Sequence, residues 1–348
     1  MYWQHKEIAF CRVYWYNMYS LIQKGGCFLS VDYNNAIKRK IPALVLNILR
    51  YIFFISFSFV LLYPFFYIIS NSFKSFSDTY DPTVVWLPKT FSMENFNYAI
   101  KVFDFWRSLK NTFVYEILAA LLQFCACAVA AYGLARFEFR GKKIFQAVMI
   151  LSILVPNMML ITPSYVNFTH LDFLGIANFI SEIIGKDIRP NIIGTVWAFY
   201  LPSVMCVGLK GGLFIYIFNQ FFKNIPKELE EAAWIDGAGP WKTFLMIVAP
   251  SSGAAAITVM LFSIVWHWND YYLAQMYNSN NPTLSVALNN FNTNSITSVL
   301  GIDTGNSIMM EVPIMLTGCL IFLVPMIVFY LVLQRKFIAS IANSGIVG

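Results

Sequence analysis

The sequence predicts an all-α membrane protein with six transmembrane helices and both termini in the cytoplasm. Of the 348 residues, 58% are hydrophobic and only 12% are charged, whereas a soluble domain carries roughly 25% charged residues. Several long runs contain no charged residue, and Lys and Arg cluster beside alternate ends of these runs. The scarcity of charge also excludes a disordered chain and a nucleic-acid-binding arm.

Each predicted span is a run without charge, because a transmembrane helix needs about 20 mostly apolar residues. The six runs are 51–73, 117–135, 144–171, 190–209, 243–269 and 312–334. The fourth run continues past Lys210 through 211–222, and this lysine has two interpretations. Either it pairs with a carboxylate or lines a cavity, or it marks a break after which the chain lies along the membrane surface. Glu116, near the outer end of the second span, is expected at the interface.

The orientation follows from the basic residues near the span ends. Basic residues expected on the cytoplasmic side are Lys38, Arg39, Lys40, Arg136, Arg140, Lys142, Lys143, Lys223, Lys227, Lys242, Arg335 and Lys336. The loop 270–311 has no Lys or Arg and is therefore expected outside. The loop 74–110 has five basic residues and fits poorly, but the rule is weak for long loops.

These spans divide the chain into four parts. The expected parts are a cytoplasmic N-terminal extension at 1–40, a first transmembrane helix with a long extracytoplasmic loop at 41–109, a membrane core at 110–334 and a cytoplasmic tail at 335–348. The extension is either an amphipathic surface segment or lies upstream of a later start such as Met18.

The residue types that carry catalysis, metal binding or disulfides show no pattern. The six cysteines form no CxxC pair, and the three histidines have no metal-ligand spacing. We therefore expect neither a disulfide framework nor a metal site, and no catalytic residues.

The most specific pattern lies in the predicted cytoplasmic loop 221–250, which predicts a short helix, a turn and a second helix. The first turn is acidic, where the helix dipole favours negative charge, through Glu228, Glu230 and Glu231. One face carries mostly small side chains at helical spacing, namely Leu229, Ala232, Ala233 and Asp236. Gly237 permits a left-handed cap. Such a helix is suited to a groove in another protein; the alternative is a connector at the lipid headgroups, which usually carries Lys, Arg and bulky apolar residues.

The run Glu231–Gly239, EAAWIDGAG, resembles the EAA motif of ATP-binding-cassette importer permeases. Its Asp-Gly-Ala form is similar to the carbohydrate branch, in particular the MalG-like subunit of maltose-type importers. Further similar segments are Asn111-Thr112, Ala130–Lys143 and Trp266–Asp270, and the resemblance covers about 45–348. The chain departs from the family in Ala249-Pro250, where Leu-Pro is usual, and in its C-terminal SGIVG, which lacks the family's lysine.

This resemblance implies a type I ABC importer permease fold, with residues 110–334 as the permease core. It also implies that the loop helix is a coupling helix, which sits in a cleft of a separate ATPase and switches the spans between inward-facing and outward-facing states. The residues carried over for coupling are Glu231, Ala232, Ala233, Asp236 and Gly237. The implied partners are an ABC ATPase dimer, a second MalF-like permease and an extracytoplasmic sugar-binding protein, in the bacterial cytoplasmic membrane. The chain contains no GxxxxGK[ST] motif, so ATP is expected to be used by the ATPase, with no cofactor on this chain.

A tentative substrate path is predicted at the outer end of the fifth span. Aromatic faces and hydrogen-bonding side chains suit sugars, and they cluster at Trp266, Trp268, Asn269, Asp270 and Tyr271. The alternative is an interfacial aromatic belt with a solvated aspartate.

Two other classes of function are less well supported. An ATP-independent secondary transporter or channel is expected to show internal repeats or intramembrane carboxylates, and it leaves the Ala-Ala helix unexplained. A membrane-bound enzyme needs a nucleophile–base or metal-ligand set, which the sequence does not offer.

Overall fold

The structure is a computed structural model that describes residues 33–172 and 175–344. Side chains are described for 46–172 and 175–335. Across these residues the chain is helical, and its β pairing is an isolated bridge between Lys74 and Phe91. The predicted all-α class is confirmed for the described part. Residues 1–32 of the predicted extension and 345–348 of the predicted tail lie outside the described residues.

The described helices are mostly short, between a few long ones. In chain order, the α-helices are Tyr33–Ser72, Phe76–Tyr80, Glu94–Val102, Phe105–Asn111, Leu118–Arg136, Lys142–Leu154, Asn157–Thr169, Ile176–Ile184, Trp197–Val204, Gly211–Asn224, Glu228–Ile235, Pro240–Thr243, Ala249–Ser251, Gly253–Trp268, Tyr272–Tyr277, Leu284–Asn289, Thr293–Leu300 and Thr304–Ser344. Two π-helical turns, Thr112–Ile117 and Phe244–Val248, join α-helices without interrupting them.

The chain divides into two compact units, 1–66 and 67–348. The described part of the first unit belongs to the helix Tyr33–Ser72, which begins before the predicted boundary at residue 40. All its side chains between 46 and 66 are exposed. They are mostly large and apolar, and this is the composition of a surface that contacts lipid.

Among the described residues, three helices are long and apolar enough to cross a membrane, and two bent pairs raise the number to five. The single helices are Leu46–Ser72, Phe105–Arg136 and Thr304–Arg335, and the pairs are Lys142–Leu154 with Asn157–Thr169, bent by 107°, and Pro240–Ser251 with Gly253–Trp268, bent by 83°. They overlap the first, second, sixth, third and fifth predicted spans. The count of six and the cytoplasmic location of both termini stay predictions.

The fourth predicted span, 190–209, differs from the structure. The chain there forms the helix Trp197–Val204 and, after a turn, the helix Gly211–Asn224. Lys210 takes a left-handed conformation at the start of the second helix, with φ 57°. The lysine therefore does mark a break. The helix that follows packs against the rest of the chain through Phe214, Phe218 and Phe222, which are buried.

These phenylalanines belong to the larger of the hydrophobic clusters. The cluster combines the end of Phe105–Arg136 with Gly211–Asn224 and the start of the fifth predicted span; its aromatic members include Tyr132, Phe218, Phe222 and Phe244. Four of its members, Phe222, Ile225, Phe244 and Val248, belong to the loop 221–250, so both ends of that loop are packed into this core.

Candidate coupling site and substrate path

The loop 221–250 contains the helix Glu228–Ile235, which we call the loop helix. It ends at a left-handed glycine, Gly237 with φ 81°. A second helix begins with Pro240 at its first position, where the missing N–H needs no partner. The predicted helix, turn and second helix are thus confirmed.

Most of the predicted coupling residues form an open surface. Glu231, Ala232, Asp236 and Gly237 are exposed, and Ala233 is half-buried. Large apolar side chains next to them are exposed as well, and Ile235 has 86% of its surface free. An apolar patch with an acidic border is typical of a surface that another protein covers.

Glu230 behaves differently from the other two glutamates of the loop helix. It was predicted only as part of an acidic first turn, but its side chain is buried and its Oε1 lies 2.5 Å from Nε of Arg136. The hydroxyl of Tyr132 donates to Oε2 of Glu230 at 3.4 Å. No pattern in the sequence indicated this contact, because the partners come from distant parts of the chain.

The predicted substrate-path residues do not share one surface in this chain. Trp268 is 1% exposed and packs against the rings of Phe113 and Phe322. Trp266 is half-buried and stacks on Phe214 and Phe262.

The remaining path residues lie beyond the end of the helix Gly253–Trp268. Asn269 is exposed, Tyr271 is half-buried and Asp270 is buried. One oxygen of Asp270 accepts the backbone N–H of Leu273 at 3.3 Å, and the other has no hydrogen-bond partner among the described residues. Burial raises the pKa of Asp270 above its ordinary value.

Glu116, which was predicted to lie at the membrane interface, is buried inside the protein and only 1% exposed. It lies in the π-helical turn Thr112–Ile117, and an inserted π turn shifts which side chains of a helix point inward. Both its carboxylate oxygens lack a hydrogen-bond partner among the described residues, and Asp270 is close enough to interact electrostatically.

The pair Asn111-Thr112 fastens the start of the second predicted span to the segment before Leu284–Asn289. The side-chain amide of Asn111 donates to the carbonyl of Pro282 at 3.0 Å. The hydroxyl of Thr112 accepts the backbone N–H of Leu284 at 2.9 Å and donates to the carbonyl of Ser108 at 2.8 Å. Sequence reasoning singled out this pair only through the family resemblance.

Within the described ranges, no three His, Cys, Asp or Glu side chains lie close enough to hold a metal ion. The described cysteines Cys125, Cys127, Cys206 and Cys319 are free thiols. The thiols of Cys127 and Cys206 lie close enough to hydrogen-bond to each other.

The described part is a chain of apolar helices with an exposed helix in one of its loops, an arrangement typical of transport permeases. The family model described as "Binding-protein-dependent transport system inner membrane component" matches residues 124–342. The chain belongs to this family, and it is a multi-pass membrane protein.

Similar proteins from several bacteria are sugar permeases by name. The chain is 27% identical to the trehalose transport system permease protein SugB of Mycobacterium tuberculosis, over 82% of this chain and 93% of the relative. It is 28% identical to the melibiose/raffinose/stachyose import permease protein MelC of Bacillus subtilis, over 82% of this chain and 91% of the relative.

The fold is similar to that of a solved transporter chain. The structure of a bacterial ABC transporter involved in the import of the acidic polysaccharide alginate matches with a TM-score of 0.63 and 21% identity, over 90% of this chain and 100% of that chain. At this identity the similarity concerns the fold, and it agrees with the type I importer permease architecture expected from the resemblance.

Proposed function

We propose that this chain is a transmembrane subunit of an ATP-driven, binding-protein-dependent importer of an oligosaccharide or a related sugar. Membership of the family supports the importer class. The names of the relatives support a sugar as substrate, since they include permeases for trehalose, diacetylchitobiose and melibiose, raffinose or stachyose. The importer is expected in a bacterial cytoplasmic membrane.

Three partners complete the proposed importer. A cytoplasmic ABC ATPase dimer binds and hydrolyses ATP, a second MalF-like permease completes the translocation path, and an extracytoplasmic binding protein delivers the sugar. A solved relative of the fold comes from an alginate transporter in complex with alginate pentasaccharide-bound periplasmic protein, with a TM-score of 0.55. This supports the binding protein as a partner.

The observation that carries the coupling role is the exposure of the loop helix. Ala232 and Ala233 present small side chains, so the surface of the ATPase can approach the helix backbone closely. Glu231 and Asp236 are free to meet basic or amide groups of the ATPase, and Gly237 lets the chain turn away immediately after the helix.

ATP shifts the importer between states because the ATPase dimer binds it more tightly when closed. Closing displaces the docked loop helix, and the spans joined to it follow as rigid bodies. The chain itself contributes the docking surface and the mechanical connection.

We further propose that Asn269 and Tyr271 border the sugar path, while the more buried Trp266, Trp268 and Asp270 support it from behind. The exposure of Asn269 supports this order. Asn269→Ala is expected to raise KM for uptake while leaving assembly and kcat nearly unchanged. An unchanged KM would remove Asn269 from the path.

The coupling role is tested by purifying the tagged chain after co-expression with its genomic neighbours. The wild type is expected to recover a soluble ATPase and a second permease, whereas Gly237→Arg recovers only the permease. Gly141→Arg is the matched control, since Gly141 also has a positive φ of 90° and no atom near its absent Cβ, but lies outside the loop 221–250. Sugar uptake by a chain that recovers no ATPase in any sample would favour the ATP-independent transporter instead.

A further inference from the structure

The loop helix is held to its own chain mainly by one side chain. Of its eight residues, all of which the structure describes, Glu230 alone is buried. A buried carboxylate is costly unless a cation and hydrogen-bond donors compensate it. The burial of Glu230, which anchors this helix, is therefore stable only while a cationic partner compensates its charge.

That partner is Arg136, the last residue of the helix Leu118–Arg136. The ion pair joins side chains that are only 5% and 3% exposed, with Nε of Arg136 2.5 Å from Oε1 of Glu230. A second guanidinium nitrogen, Nη2, donates to the carbonyl of Ile225 at 2.8 Å. One arginine thus holds both the loop helix and the chain just before it.

Aromatic rings make the surroundings of this pair rigid. Tyr132 lies one helical turn before Arg136, its hydroxyl donates to Glu230, and its ring packs 5.0 Å from that of Phe244. Phe222, in the same cluster, is fully buried. The loop helix is thereby connected through Glu230, its one buried residue, to a closely packed core.

A buried ion pair adds little stability compared with apolar residues of the same volume, but it fixes geometry. The planar guanidinium meets Glu230 through Nε and the carbonyl of Ile225 through Nη2, and the single ammonium nitrogen of a lysine cannot reproduce this arrangement. The arrangement therefore suits a contact that must keep the orientation of the loop helix relative to the helix Leu118–Arg136 when the loop helix is displaced.

We propose that the Arg136–Glu230 pair is the link through which displacement of the loop helix moves the inner end of the helix Phe105–Arg136. Both residues are then positioning residues for transport. This inference rests on the proposed function, since it assumes that an ATPase displaces the loop helix.

The test measures assembly, ATP hydrolysis and sugar uptake of the purified importer in proteoliposomes. Glu230→Gln keeps the size of the side chain and removes the charge, and it is expected to retain the ATPase while uptake per ATP falls about five-fold or more. Glu138→Gln is the matched control, because Glu138 forms an exposed ion pair with Lys142 at 2.7 Å beside the same loop. It is expected to match the wild type.

A charge exchange separates the link from simple loss of folding. Arg136→Glu and Glu230→Arg are each expected to reduce uptake per ATP. The double variant, which restores an ion pair with the charges exchanged, is expected to show higher uptake per ATP than either single variant. Uptake per ATP for Glu230→Gln equal to that of Glu138→Gln would overturn the proposal. So would loss of the ATPase from Glu230→Gln, because the pair then only shapes the docking surface.

A distance measurement supplies a readout of the motion itself. Spin labels at Arg140 and Gly239, which are both exposed, are expected to keep one narrow distance with and without nucleotide in the wild type, and a broad distribution in Glu230→Gln. A wild-type distance that changes with nucleotide would refute the link. Failure of the wild type to recover any ATPase is a different result, which refutes the proposed function and the link with it.

Discussion

Thr112→Val tests whether the Asn111-Thr112 pair holds the segment before Leu284–Asn289 in place. Thr112 is fully buried and Leu284 is 4% exposed. Valine has nearly the shape of threonine, so the change leaves no cavity. It does remove the acceptor of the Leu284 N–H, and that N–H then has no water to replace the lost bond.

The expected cost follows from this orphaned donor. A buried donor left without its acceptor costs about 1–3 kcal/mol. Side-chain hydrogen bonds between membrane helices average only about 0.6 kcal/mol, but there the freed groups often find other partners. The hydroxyl of Thr112 also donates to Ser108, a bond within one helix turn whose loss adds little. We therefore expect Thr112→Val to lower the free energy of unfolding by about 1–3 kcal/mol in total.

The assay is thermal unfolding of the purified chain in detergent. Thr112→Val is expected to lower Tm by several degrees relative to the wild type. Thr258→Val is the control, because the hydroxyl of Thr258 donates to the carbonyl of Ala254 four residues earlier at 2.9 Å and holds no other segment. Equal Tm values for the two variants would show that the bond to Leu284 contributes nothing.

Three further outcomes are expected. Gly211→Ala is expected to lower Tm, because the new Cβ would overlap the carbonyl oxygen of Cys206, and such overpacking costs about 1–3 kcal/mol. Gly133→Ala is the control and is expected to leave Tm unchanged, because no atom lies within 4 Å of the new Cβ. Equal Tm values for the two variants would contradict this. The pKa of Asp270 is raised in the folded chain. Its ionisation therefore lowers the free energy of unfolding as the pH rises from the pKa of the unfolded chain, near about 4, through the pKa of the folded chain. Asp270→Asn is expected to reduce this decline, and identical slopes of Tm against pH in the two proteins would contradict a raised pKa at Asp270. Backbone amides of the loop helix are expected to exchange rapidly in the isolated chain and more slowly with the ATPase bound, measured by hydrogen exchange; equal rates contradict docking.

Local patterns in the sequence predicted the parts of the structure that local forces determine. The loop helix, its glycine cap at Gly237 and the restart at Pro240 depend on residues within one or two turns, and all three are found. Five of the six apolar runs overlap single helices or bent pairs long enough to cross a membrane, because hydropathy is summed over a window and tolerates errors at individual positions.

The errors have tertiary causes. The fourth run is broken at 205–210 by a turn that leaves no room for a Cβ on Gly211 beside the carbonyl of Cys206, a tertiary constraint that no hydropathy window registers. Glu116 is buried because a π turn alters the inward face of its helix. Hydropathy treated the segment around Glu116 as a regular helix, whereas Lys210 had already indicated a break in the fourth run as one of its two interpretations.

Glu230 and Glu231 show the same limit at the candidate site itself. The two are adjacent and chemically identical, and the sequence gives both the same place in an acidic first turn. In the structure one carboxylate is exposed and free to meet another protein, while the other is buried against Arg136. Neighbouring positions on a helix point about 100° apart, so one must face the chain when the other faces away. An eight-residue helix is too short to be stable alone, and it can transmit a displacement only if its inner side is fixed as firmly as its outer side is bound. On the proposed mechanism, the buried Glu230 attaches the helix to its own chain, while the exposed Glu231 leaves another side of the helix open to the ATPase.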